Sequence, residues 1–317
     1  MTAMDSSLSP VEPWPDLKPA GWEETKDVLH MWTQIVGKVR LELTPLINHW
    51  WQVPFYITAS GLTTSLIPYQ DDAFQIDFDF LASELRMQRS NGAHQGFPLE
   101  PISVATFYQK TMDALHALGI DVSIWPVPVE LPDPIPFLED ERRAYDADYA
   151  RNLWHVLLQA HNVCTRFRSN FVGKVSPIHF FWGSFDLAMT FFSGREAPEH
   201  PGVPIMPDYV TREAYSHEVI SSGFWPGGGG SDAVFYTYAY PEPDGLPQAQ
   251  VEPDAAFYLT ELGEFVLPYP AVRNADAPDE MLYAFLQSSY AAAADLADWD
   301  RAALEEPWLF RQGEHSR

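Results

Sequence analysis

The sequence predicts an α+β protein: a tandem duplication of a helix–antiparallel strands–helix unit, with helices packed on one face of each sheet and the halves related by a pseudo-twofold axis. Three observations lead there. Four segments carry apolar residues at helical spacing, the stretches between them are rich in aromatic and β-branched residues with turn formers, and short words recur in the two halves.

Taken in order, Trp22 to Val39 sets Trp22, Thr25, Leu29, Trp32, Val36 and Val39 at steps of three and four, the stripe of a helix buried on one side. WWQVPFYITASG, LTTSLIPY and AFQIDFDFL follow and read as strands. A second helix, Pro101 to Leu118, opens on a proline whose missing N–H costs nothing there and stops before Gly119. DVSIWPVPVEL predicts a joining strand. The third helix, Asp146 to Phe171, aligns Tyr149, Leu153, Val156, Ala160, Val163, Phe167 and Phe171. PIHFFWGSFDLAMTFFSG, SHEVISSGFW, AVFYTYAY and AFYLTELGEFVLP are the second set of strands, and a fourth helix, Pro278 to Ala297, has Asp276 for its N-cap.

The duplication rests on IVGKV at 35–39 and FVGKV at 171–175, each expected where a helix ends. There Gly37 and Gly173 would close the helix, and Lys38 and Lys174 would complement its dipole. His49-Trp50-Trp51 then answers His179-Phe180-Phe181, and ITASG answers MTFFSG. The expected divisions are a tail at 1–18, a first half at 19–130, a second half at 131–300 and a tail at 301–317.

Of 317 residues, 44 are acidic and 19 basic, a net charge of -25 that would repel a phosphate backbone, so nucleic acid is not an expected partner. Cys164 is the only cysteine, which excludes an internal disulfide and a cysteine-rich zinc site and suits a reducing compartment. The first eighteen residues have neither the basic nor the apolar region of a secretory signal. The uncharged run Leu43 to Gln70 is broken by Pro45, Pro54 and Pro68, so no membrane contact is expected and the location is cytoplasmic.

The phosphate-binding loop, dinucleotide fingerprint, zincin and nucleophile-elbow motifs are all absent. Chemistry therefore falls to histidine, the usual acid, base or ligand near neutrality. His30, His94, His116, His200 and His315 read as solvated, and His155 and His161 are about 240° apart on a helix and cannot share a site. His49, His179 and His217 fall in aromatic strands and can converge. His179 and His217 are the catalytic candidates, with Asp186 fixing a tautomer as a carboxylate on Nδ1–H does. Glu218, beside His217, points to the opposite face. His49, Arg195, Trp182 and Tyr238 are the substrate-binding candidates, Arg195 by clamping an anionic group, unless it simply pairs with Asp186. In FQIDFDFL, Asp77 and Asp79 share a face about 7 Å apart, turned to a site or to solvent. Metal, cofactor and reaction type stay open.

At NHWWQVPFYITASGLTT, GKVSPIHFFWGSFDLAMTFFSGREAP, YSHEVISSGFWPGGG and AVFYTYAYPEP the chain resembles an uncharacterised bacterial family of unknown function, DUF5996, over about Trp14 to Asp298. That resemblance implies a bacterial, cytosolic protein and supplies no catalytic residues.

Two functions fit. One is an enzyme or enzyme-like small-molecule pocket between the halves, with histidine acid–base or metal chemistry. The other is a non-catalytic ligand-binding or interaction scaffold, whose aromatic surface serves a partner or a second copy of the chain in a homo-oligomer.

Overall fold

The aromatic alternation resolves into two antiparallel sheets of six strands each. A computed structural model of the chain describes residues 12–18 and 22–305. The first half runs α1 (Trp22–Leu43), β1 (Tyr56–Ile57), β2 (Gly61–Thr63), β3 (Ile67–Tyr69), β4 (Asp72–Asp79), β5 (Glu84–Arg89), β6 (His94–Pro98) and α2 (Val104–Ala117). Its strands lie in the order β1-β2-β4-β5-β6, with β3 also paired to β4. The second half runs α3 (Ala147–Arg168), β7 (His179–Phe181), β8 (Asp186–Glu196), α4 (Asp208–Ala214), β9 (His217–Trp225), β10 (Val234–Tyr240), β11 (Phe257–Leu259), β12 (Glu264–Pro268), α5 (Tyr269–Arg273), α6 (Pro278–Leu296) and α7 (Arg301–Leu304). Its strand order is β11-β12-β10-β9-β8-β7. The sheets meet edge to edge, where Phe55 and Phe180 exchange backbone hydrogen bonds of 2.8 and 2.9 Å.

Strand parity decides what is buried. Phe74, Ile76 and Phe78 of β4 and Leu85 and Met87 of β5 face the helices, and each is at most 1% exposed. Trp32 of α1 stacks on Phe107 of α2 with centroids 4.6 Å apart, and Phe107 stacks on Phe78 at 6.2 Å. In the second half Phe167 of α3, Phe191 of β8 and Tyr290 of α6 pack together at 5.2 to 5.8 Å. Each such ring contributes about 1.5–3 kcal/mol by leaving water. Residues 12–18 also join this core: Trp14 and Leu17 are buried, and the Trp14 indole donates to Asp279 at 2.9 Å. Residues 301–305 carry α7 and pair Glu305 with Phe171. The rest of both expected tails lies outside the described residues. Among those described, no helix is long and apolar enough to cross a membrane.

Several local expectations are corrected. α1 does not stop at Gly37 but continues to Leu43, and the Trp182 ring lies directly on Gly37, where any β-carbon would collide with it. FVGKV is not a helix end; it is a segment whose Lys174 carbonyl accepts from Phe192 of β8 at 3.1 Å. His49 sits in a short 3-10 turn, whereas His179 opens β7. Each half thus runs from a long helix through six strands to a helix, but α4 and α5 have no counterparts in the first half and the short words do not keep their structural places, so a duplication is not shown. DVSIWPVPVEL forms no strand; two prolines in it cannot donate to a ladder. α2 starts after the proline, capped by the Ser103 hydroxyl, and no side chain caps α6.

Candidate functional site

On the side away from α3 and α6, the second sheet presents an outer face. Register places on it His179 and Phe181 of β7, Asp186, Ala188, Thr190 and Phe192 of β8, Val219, Ser221 and Gly223 of β9, and Tyr236, Tyr238 and Tyr240 of β10. His217, two residues before Val219, shares that side.

Over one end lie the turn at 48–50 and α4, held together by the Trp50 indole donating to the Val210 carbonyl at 3.0 Å and the His49 amide donating to Glu213 Oε1 at 2.9 Å. His49 and Trp50 both have left-handed backbones, with φ of 58° and 60°. Such residues cost about 1–3 kcal/mol each and persist only where neighbours hold them. The turn fixes the imidazole. Its Nδ1 lies 3.2 and 3.3 Å from the carbonyl oxygens of Glu213 and Ala214, so Nδ1–H donates there and Nε2 is left as an acceptor. Lys174 Nζ donates to that Nε2 at 2.6 Å.

Rings flank the pair. Phe192, Trp51 and His217 have centroids 4.7, 5.5 and 5.7 Å from that of His49, and Lys174 Nζ stands 4.6 Å from the Phe192 centroid and 5.3 Å from that of Trp51. Burial holds His49 below its ordinary pKa, with Lys174 adding to the effect and the two carbonyls opposing it. Burial also lowers the Lys174 ammonium, which Glu213 partly offsets.

Beyond Trp51, whose ring is 5.9 Å from that of His179, the chemistry changes. His179 is 1% exposed and its Nε2 has no hydrogen-bond partner; burial, then Arg40 and Arg168, pushes it down to about 3. At the far end Asp186 accepts hydrogen bonds from Ser184 and Tyr236. The Tyr236 phenol reaches it by crossing Gly223, where a side chain would meet the ring. Tyr236 stacks on Tyr238 at 6.1 Å, and the Tyr238 and Tyr215 hydroxyls are 2.9 Å apart. Burial raises the Asp186 carboxyl, and Glu130 and Glu264 are pushed up to about 7 by burial and then by Asp186. Six residues separate Asp186 from Phe192, so the two ends are about 20 Å apart.

The structure thus brings together His49 and His217, with His179 reached through Trp51. Asp186 orients no histidine, being engaged by Ser184 and Tyr236, and Tyr238 belongs to that same end. Arg195 is not free to clamp a ligand, nor does it pair with Asp186: it binds Glu218 at 2.7 Å and donates to the Ala297 and Asp298 carbonyls at 2.6 and 3.1 Å. Trp182 is buried on α1 and donates to the Val53 carbonyl at 2.9 Å, so it is no pocket wall. Asp77 and Asp79 line a separate cavity of about 330 Å³ on the outer face of the first sheet, where Arg86 pairs with Asp79 at 2.5 Å.

Sequence reasoning missed Lys174 and Glu213. Lys174 was legible only as a helix-end cation, because its partner lies 125 residues away. His30, expected in solvent, is buried and bonded to the Gly183 carbonyl at 2.8 Å. Among the described residues, no group of three or more His, Cys, Asp or Glu side chains is placed to hold a metal ion.

No curated protein and no solved structure matches the chain. A model described as a family of unknown function matches residues 14–306, nearly the whole length, and the chain belongs to that family, DUF5996.

Proposed function

We propose that the His49 end of this face binds a small organic molecule and moves protons on it. The supporting observation is the 2.6 Å contact between Lys174 and the acceptor nitrogen of His49, set among rings and mounted on a strained turn. Neighbouring carbonyls orient His49 for proton transfer, and His217 offers a second imidazole beside it. Trp51 and Phe192 supply apolar walls. His49 and Trp51 come from the first half, and Lys174, Phe192 and His217 from the second, so the site lies between the halves. His179 stands behind Trp51 as a neutral imidazole. Asp186, Tyr238 and Tyr236 form the polar far end of the same face. A cytoplasmic, bacterial setting belongs to the same reading.

The test is a screen of a few hundred small organic compounds by the ring-proton NMR signals of the ten histidines and the Trp51 indole. The expected hits shift His49, His217 and Trp51 together. Hits that move only exposed histidines such as His94 and His116, or no hits, would overturn the reading.

A further inference from the structure

We propose that Lys174 is a nucleophilic amine that condenses with an aldehyde or ketone bearing an apolar substituent, with His49 carrying the proton. This deepens the preceding reading and rests on it.

Five lysines are present in the chain. Lys18, Lys26 and Lys110 pair with Asp232, Asp27 and Glu100, as expected where acidic residues outnumber basic ones by more than two to one. Lys38 is buried in α1. Lys174 differs from all four in having an imidazole as its hydrogen-bond acceptor; it is exposed and makes no ion pair among the described residues. Its backbone is tied to β8 through the Phe192 amide, so the amine is presented from a rigid support.

An ammonium has no lone pair and cannot attack carbon. A base within 3 Å that shares its proton is the device that activates such an amine, as for other nucleophile–base pairs. Burial lowers the Lys174 ammonium, in the direction that makes the free amine available, and keeps the His49 imidazole neutral with its acceptor nitrogen unprotonated.

The step balances without a further reagent. His49 Nε2 takes one proton from Nζ, and the nitrogen lone pair forms the N–C bond as the carbonyl π pair moves to oxygen. A second nitrogen proton and the proton on His49 pass to that oxygen, which leaves as water when the C–O bond breaks, giving the protonated imine that keeps the third nitrogen proton. The flanking Trp51 and Phe192 rings suit an apolar substituent on the carbonyl carbon, which is why a simple aromatic aldehyde is the probe.

The intact protein is incubated with benzaldehyde and cyanoborohydride, whose hydride adds to the imine carbon and fixes the adduct, and the modified lysines are mapped by mass spectrometry. Lys174 is expected to label at least about tenfold faster than Lys18 and Lys110. His49→Asn, chosen because asparagine tolerates the left-handed backbone, is expected to slow labelling of Lys174 by about 100-fold, the low end for general acid–base catalysis. In Lys174→Arg, which keeps a cation over the rings, the fast site is expected to vanish while slow labelling elsewhere persists. Labelling of Lys174 no faster than Lys18 and Lys110, or unchanged in His49→Asn, overturns the proposal. The histidine ring signals are read on the same samples. Benzaldehyde-induced shifts at His49 and His217 without trapping reject the amine chemistry and leave the small-molecule site standing, whereas the screen described above decides that site separately.

Discussion

At the scale of single residues, close approach explains what propensity does not. Gly37 is a poor choice inside a helix, yet it admits the Trp182 ring. Gly37→Ala should gain up to about 1 kcal/mol of helix propensity and lose about 1–3 kcal/mol to overpacking, a net destabilisation of up to about 2 kcal/mol that a urea denaturation series would read. An unchanged midpoint would mean that the indole can move aside freely. Gly223 is the strand counterpart, and there the legible signal was a glycine in the middle of an aromatic strand, which marks close approach of another group. Tyr236→Phe removes the phenol that crosses it and leaves a buried Asp186 oxygen without its donor, an expected loss of about 1–3 kcal/mol. If Tyr236→Phe unfolds at the wild-type midpoint, that hydrogen bond contributes nothing net. His30 and Lys174 show the limit of such reading: each has a partner more than 100 residues away, and no local pattern encodes that.

At the scale of elements, period carried the four long helices and the alternation of β4, because a buried face imposes its spacing on neighbouring residues. It failed where apolar residues serve packing without a ladder. The run Asp121 to Leu131 is apolar and β-branched, but its prolines leave it as a loop, with Gln34 bonded to both the amide and the carbonyl of Val129. The end of α1 failed for a related reason, since Gly37 was read as a stop where it permits contact, whereas α2 does stop before Gly119. The end of α6 is secured instead by Arg195, which binds Glu218 of β9 and the carbonyls just beyond the helix. The side chain is 47% exposed, so its ion pair is worth little and the carbonyl contacts more. Arg195→Ala should cost about 1 kcal/mol and raise amide exchange in the last turn of α6, while leaving the His49, His217 and Trp51 signals in place. Displacement of those signals would tie Arg195 to the site after all.

For the whole molecule, buried titratable groups set opposing dependences on pH. His30 and His179 fall from 6.5 to about 4 and about 3. Between those values and 6.5 the unfolded chain binds protons that the folded chain refuses, so their contribution is complete above 6.5 and is lost as the pH falls. Glu130 and Glu264 rise from 4.5 to about 7. Here the folded chain holds protons that the unfolded chain has released, so their contribution is complete below 4.5 and is lost as the pH rises towards 7. The thermal midpoint should therefore be highest at roughly pH 5–6 and decline on both sides. Glu130→Gln with Glu264→Gln should flatten the upper limb and leave the acid limb unchanged. A midpoint that climbs steadily from pH 5 to 8 would contradict this account.

The single rung between Phe55 and Phe180 has a consequence for any attempt to divide the chain. It is the only backbone pairing described between the two sheets, and it covers the otherwise open edges of β1 and β7. α1 crosses the same seam, with Gly37 under Trp182 and His30 on Gly183. Pieces 1–130 and 131–317 produced separately would each carry an unsatisfied strand edge and a bare apolar seat, the combination that drives self-association. Co-expressed, the same pieces should find one another and purify as a one-to-one pair, so that the seam acts as a site of recognition between fragments.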